Sequence, residues 1–185
     1  ICYYRQDFGR LNADKDSYGV PRSKSIQTTP AHQLALAAVY YSPLQYMYWY
    51  DKPSDSQDEP ELKFFDDVYT TWDDTKVLQG EVGEFITIAR RKGEEWFIGS
   101  ITNNEKRVLS VSLDFLPEGK NYIAEIYTDG DKSVKTRTKV RVSTYRVSNK
   151  TKLNFCLKAS GGGAVRLVPD DGNIKSVKNY KQQRL

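Results

Sequence analysis

At 185 residues and 21.2 kDa the chain has room for one ordinary domain, or for part of a larger protein, and not for two comfortable ones. Hydrophobic residues make up 38% and charged residues 28%, with 13 Tyr, 7 Phe and 3 Trp, so a packed core is available and wholesale disorder is excluded. The longest weakly polar run, Ala35 to Tyr41, falls far short of the roughly 20 residues needed to cross a bilayer, and no membrane insertion is expected.

The formal charge of +4 is unevenly spread: residues 51–76 carry nine acidic and three basic side chains, whereas residues 132–185 carry fourteen basic and two acidic. Cys2 and Cys156 are too few for a disulfide framework, and no CxxC or His/Cys cluster suggests zinc. Met47 is the single methionine, and the chain opens Ile1-Cys2-Tyr3-Tyr4, without an initiator or a secretory signal pattern. The expectation is a processed product or the C-terminal part of a longer protein.

Residues 1–28 show no sustained period and read as a long irregular loop, a candidate wall of a site. Next, Thr28-Thr29-Pro30 supplies an N-cap and a first-turn proline, and the formers that follow predict a helix over 30–41. Pro43 predicts a second short helix over 43–49, capped by Ser42. The first helix is apolar on nearly every face, so it calls for a larger neighbouring body.

Residues 51–61 read as a linker, and beyond it eight short alternating runs follow, over 75–82, 84–90, 95–102, 107–115, 122–128, 134–143, 152–158 and 164–168. Leu109, Val111, Leu113 and Phe115 oppose Ser110, Ser112 and Asp114, which predicts one dry and one wet face. Turn residues at 91–93, 103–105, 117–120 and 129–131 suit hairpins. Together they predict a mainly β protein built as an antiparallel β-sandwich, ending in a polar, basic, peripheral tail.

Few residues carry catalytic promise. His32 is the only histidine; it is either a substrate-contacting group or a locally bonded helix-start residue. No GxSxG, GxGxxG or calcium-loop pattern occurs. Asp66-Asp67 and Asp73-Asp74 could serve glycoside hydrolysis or calcium, but read better as turn and cap residues. Gly161-Gly162-Gly163 reads as a bulge or turn before the last strand. The stripe Lys135, Arg137, Lys139, Arg141 reads as one solvated strand face, so no nucleic-acid partner is expected. Trp72 and Trp96 are the aromatics that would stack on sugar in a stand-alone carbohydrate-binding or structural module without catalysis, and are equally suited to a core.

Three blocks, TTPAHQLALAAVYYSPLQYMYWYDKP at 28–53, PELKFFDDVYTTWDDTKVLQGEVGEFITIARRKGEEWFIGSITN at 60–103, and DFLPEGKNYIAEIYTDGD with GGGAVRLVP, resemble the C-terminal region of glycoside hydrolase family 97. The resemblance implies an exo-acting α-glycosidase, an α-glucosidase or α-galactosidase, dependent on Ca2+ and periplasmic in bacteria. It also implies that residues 1–58 are the end of a catalytic (β/α)8 barrel, 59–170 the C-terminal sandwich and 171–185 a basic tail. Barrel active sites lie at the C-terminal ends of the strands, so Tyr3, Tyr4, Arg5 and His32 become the substrate-pocket candidates. The implied partners are an oligosaccharide or α-glycoside substrate and the missing N-terminal and barrel portion. The family's catalytic and calcium-binding glutamates map onto no residue of this chain. Tyr69 stands where the family usually has Pro in FDDVPTTW, and Ile1-Cys2-Tyr3-Tyr4-Arg5 where it usually has Met-Asp-Tyr-Thr-Pro.

Overall fold

A computed structural model of the chain describes residues 28–46, 59–136, 138–174 and 176–181. Helix α1 (Pro30–Val39) begins where its cap predicts: the Thr29 hydroxyl accepts from the His32 amide at 3.2 Å. It stops two residues earlier than expected, because Tyr40 is already extended. The second helix expected over 43–49 does not start at its proline. Residues 43 and 44 form a bend, and the Ser42 hydroxyl donates to the Leu44 carbonyl at 2.6 Å instead of capping; residues 47–49 lie outside the described residues. A helix that the sequence reading did not foresee follows the linker. A 3-10 turn at Pro60–Leu62 runs into α2 (Lys63–Asp67), held down by the fully buried Phe64.

Eight strands follow among the described residues: β1 (Asp74–Glu81), β2 (Phe85–Lys92), β3 (Glu95–Thr102), β4 (Arg107–Ser112), β5 (Asn121–Asp129), β6 (Val140–Ser148), β7 (Lys152–Leu157) and β8 (Gly162–Pro169). All strand pairs are antiparallel, in a six-stranded sheet ordered β1-β2-β3-β8-β5-β6 and a two-stranded sheet β4-β7. The sandwich expectation therefore holds. Two of the expected hairpins do not: residues 103–105 and 117–120 carry the chain from one sheet to the other, since β4 pairs with β7 and not with β3 or β5.

The expected single dry face holds for the small sheet, where Leu109, Val111, Leu153, Phe155 and Leu157 are buried while Val108, Ser110 and Cys156 are exposed. In the large sheet both faces of the central strands are dry. Trp96, Ile98, Ala124, Ile126, Val165 and Leu167 pack with β4 and β7, whereas Phe97, Tyr127 and Ala164 pack against α1 and Phe64 on the other side. A strand covered on both faces reads as a nearly continuous apolar run, as in Trp96-Phe97-Ile98.

β6 starts six residues later than expected. Residues 131–136 turn instead, with the Val134 amide donating to Asp131, and Lys139 stands at φ 58°, a conformation that cannot continue a strand. Lys135 and Lys139 thus share no strand face with Arg141, and Arg137 lies outside the described residues. The described part of the tail is anchored: the Arg146 amide donates to Lys178 and the Tyr180 amide to the Arg146 carbonyl, both at 2.9 Å, laying 176–181 beside β6. The Tyr180 hydroxyl accepts from the Asn154 amide at 3.0 Å.

Candidate functional site

The helix-bearing face of the large sheet is the surface that the sequence makes most specific. α1 lies against β3 and β8 where side chains are missing. A Cβ on Gly99 would stand 2.5 Å from the Ala35 carbonyl oxygen, and one on Gly162 would stand 2.5 Å from the His32 Cα. Such approach requires glycine, and the alanines of α1 complete it from the other side. Six of its ten residues are buried by this chain alone. The expectation that only a larger body covers this helix is corrected accordingly: glycines in the sheet let a small sandwich do most of it.

Both ends of α1 are tied down. At its start the Thr29 amide donates to Ser160 at 3.1 Å, and His32 Nδ1 lies 3.1 Å from the Gly161 carbonyl. A carbonyl only accepts, so Nδ1 carries the proton. Burial lowers the His32 pKa, with the Gly161 bond and the nearby Asp129 charge opposing it. Asp129 in turn accepts from the Lys158 and Gly162 amides at 2.9 and 3.2 Å, fixing the turn that holds His32. The Gly-Gly-Gly run is divided, with Gly161 in that turn and Gly162 and Gly163 already in β8.

At the other end the Arg90 guanidinium donates to the Ala38 carbonyl at 2.5 Å and to the Val39 carbonyl at 2.9 Å, satisfying groups that every helix C-terminus leaves bare. Just beyond, Tyr40, Tyr41, Leu44 and Tyr46 are exposed.

Charge gathers nearby around Arg166, which reaches Glu95 at 2.9 Å, Asp67 at 2.8 Å and Glu125 at 3.5 Å; Lys63 closes the group on Asp67 and Glu125. Burial alone would lower the Arg166 pKa, but the three carboxylates outweigh it and the net direction is upward. Glu61 is fully buried. One carboxylate oxygen accepts from the Thr138 hydroxyl and the other has no hydrogen-bond partner among the described residues. Burial pushes its pKa up.

These carboxylates are structural in placement. Asp67 belongs to the Arg166 group, and Asp73 accepts from the Gly93 amide at 2.8 Å and from Lys92 at 2.9 Å, closing the β2–β3 hairpin. Among the described residues no group of three or more His, Cys, Asp or Glu side chains is placed to hold a metal ion. Nor is any described helix long and apolar enough to cross a membrane.

Of the candidates read from the sequence, Tyr3, Tyr4 and Arg5 lie outside the described residues, and His32 sits at the helix–turn junction just described. Trp96 is 4% exposed, with its ring 4.7 Å from Phe115, and is core; it cannot stack on a sugar. Trp72 is half-buried against Phe97 at 5.5 Å and Tyr69 at 6.3 Å. The sequence reading missed a groove of about 950 Å³ at the β6 side, between Tyr145, Tyr180, Phe155 and Arg141. Its one sequence signal was Tyr180, an aromatic in an otherwise polar tail.

Residues 71–168 match the family model described as glycosyl-hydrolase 97 C-terminal, oligomerisation. The chain belongs to glycoside hydrolase family 97. A retaining α-galactosidase from Bacteroides thetaiotaomicron is 34% identical over 158 residues, which is 84% of this chain and 23% of that protein. A family 97 enzyme from Pseudoalteromonas sp. strain K8, solved in complex with acarbose, is 36% identical, with a TM-score of 0.70 over 79% of this chain and 23% of its own. A β-arabinopyranosidase structure shares the fold, with a TM-score of 0.61 at 23% identity. The chain spans about a quarter of the length of these family 97 relatives and corresponds to their C-terminal region.

Proposed function

We propose that this chain is the C-terminal portion of an exo-acting α-glycosidase, and that its sandwich supports a catalytic barrel without doing chemistry itself. Family membership over 71–168 carries the reading. Its architectural support is α1, seated on a glycine floor, with Tyr40, Tyr41, Leu44 and Tyr46 exposed beyond it as the surface toward the rest of the polypeptide. α-Galactosides are the substrate class that the name of the Bacteroides enzyme supports, and α-glucosides belong to the reading through the family resemblance. Calcium dependence and a periplasmic location belong to the same reading through the family alone, with the calcium ligands on residues outside this chain. Self-association, which the family description names, is part of it as well.

Mechanistically, the described residues bind no reacting atom in this reading; they hold α1 at a fixed position on the sheet. The test is hydrolysis of aryl α-galactosides and α-glucosides by the 185-residue chain and by the polypeptide carrying it. Turnover is expected only from the longer protein, and turnover by the isolated chain overturns the proposal.

A further inference from the structure

The large sheet has two edges, and they are treated differently. The β6 edge is covered at Arg146, whose N–H and C=O both bond to residues 176–181. The β1 edge has no strand beyond it among the described residues. An open edge is a row of unpaired backbone donors and acceptors, which proteins normally cover or break with proline and lysine. β1 has no proline and one lysine, Lys76, and it is flanked by apolar side chains that face solvent: Val77 is 67% exposed and Val82 fully exposed.

β1 carries a bulge between Val77 and Gln79. Lys76 pairs with Ala89, and Glu81 with Phe85, so both stand on the face that looks toward the small sheet. Leu78 packs on that side too, and Gln79 reaches Thr87 there at 3.5 Å, so the bulge puts two successive residues on one face. Val77, opposite Ile88, and Gly80, opposite Ile86, take the other face. Without a bulge, residues 76 and 81 would point to opposite faces. With it, a two-fold axis through the middle of β1 sets Lys76 across from Glu81 of a second copy, Leu78 across from Gln79, and Val77 across from Gly80, each pair on a common face. Every such contact occurs twice, as a self-complementary interface requires.

We propose that β1 is the contact edge between two copies of this chain, paired antiparallel about that axis with reciprocal Lys76–Glu81 contacts. This rests on the self-association proposed above, which names no surface. A second copy fits better than an unrelated partner because the strand is complementary to itself in charge and in facing.

The test is sedimentation velocity over a concentration series on the polypeptide carrying this chain. Lys76→Glu and Glu81→Lys each place like charges opposite one another and are expected to weaken the dimer at least about tenfold. The double exchange restores a Lys–Glu pair and is expected to recover the wild-type constant. Lys76 and Glu81 are exposed, so neither variant threatens folding, and Val82→Lys provides a third reading of the same edge. Val108→Lys, on the exposed side of β4, is expected to change nothing. A wild-type dimer indifferent to all the β1 variants overturns the edge assignment while leaving self-association standing. A wild-type monomer overturns both.

Discussion

Gly99 and Ala35 are in such close register that a single added carbon on Gly99 would meet the Ala35 carbonyl oxygen at 2.5 Å and the Val39 side chain at 2.9 Å. The opposing atoms are helix backbone and packed side chain, so nothing can swing away. Gly99→Val is expected to destabilise the protein by about 3 kcal/mol or more, as overpacking of a close-fitted core does. Gly83→Ala, in an open hairpin turn at φ 80° with no atom near the added carbon, meets only the strain of a left-handed backbone and is expected to cost about 1 kcal/mol. Urea unfolding of both variants checks the contrast; equal losses would mean that α1 does not sit on β3 as described.

Arg90 ties the end of α1 to β2. Its guanidinium is buried and bonds two helix carbonyls and the Thr75 hydroxyl. Arg90→Met keeps much of the stem packing and strips the donors, leaving two carbonyls unsatisfied, at an expected cost of about 2–4 kcal/mol. Amide hydrogen exchange is expected to quicken first in the last turn of α1, ahead of the sheet. Uniform acceleration across both would argue against a local clamp.

How much of this was legible in the sequence depends on how far apart the cooperating residues lie. Thr29-Pro30 encodes a helix start in two neighbouring residues, and Leu109-Ser110-Val111-Ser112 encodes a strand in four; both stand where expected. Resemblance to family 97 rested on contiguous blocks and held equally well. The glycine floor depends on Gly99 and Gly162 meeting one helix, and the Arg166 group on Asp67, Glu95 and Glu125 converging from three elements. No local period reports such convergence. Residues 135–141 misled because alternating basic residues satisfy a strand pattern, whereas Lys139 takes a left-handed turn that composition does not reveal.

Glu61 is buried with one carboxylate oxygen unsatisfied among the described residues, and its pKa is raised above 4.5 by burial. The folded state therefore holds its proton more tightly than the unfolded state. The stability this contributes is complete below pH 4.5 and is lost as the pH rises through the folded-state value. Glu61→Gln keeps an acceptor for Thr138 and removes the ionisation. At pH 7 the variant is expected to be more stable than the wild type by about 1–2 kcal/mol, with the gap closing toward pH 4. Thermal unfolding across that range decides it, and a variant less stable at pH 7 would show that Glu61 is ionised and paired.

His32 has the opposite sign. Its pKa lies below 6.5 because burial disfavours the imidazolium. Below pH 6.5 the unfolded chain takes up a proton that the folded chain resists, so stability falls as acid is added until the folded-state pKa is passed. Glu61 gains stability on acidification while His32 loses it, so the wild-type curve alone does not separate them. In the Glu61→Gln background, the decline between pH 7 and pH 5 is expected to be steeper than in the wild type. Adding His32→Asn is expected to flatten it, at the cost of weakening the Gly161 bond at all pH values. Asp73, Asp131 and Asp170 are held below the usual carboxylate range by their hydrogen bonds and titrate beneath this window. A slope that survives His32→Asn would place the responsible proton elsewhere and remove His32 as the acid-sensitive tie between α1 and the β7–β8 turn.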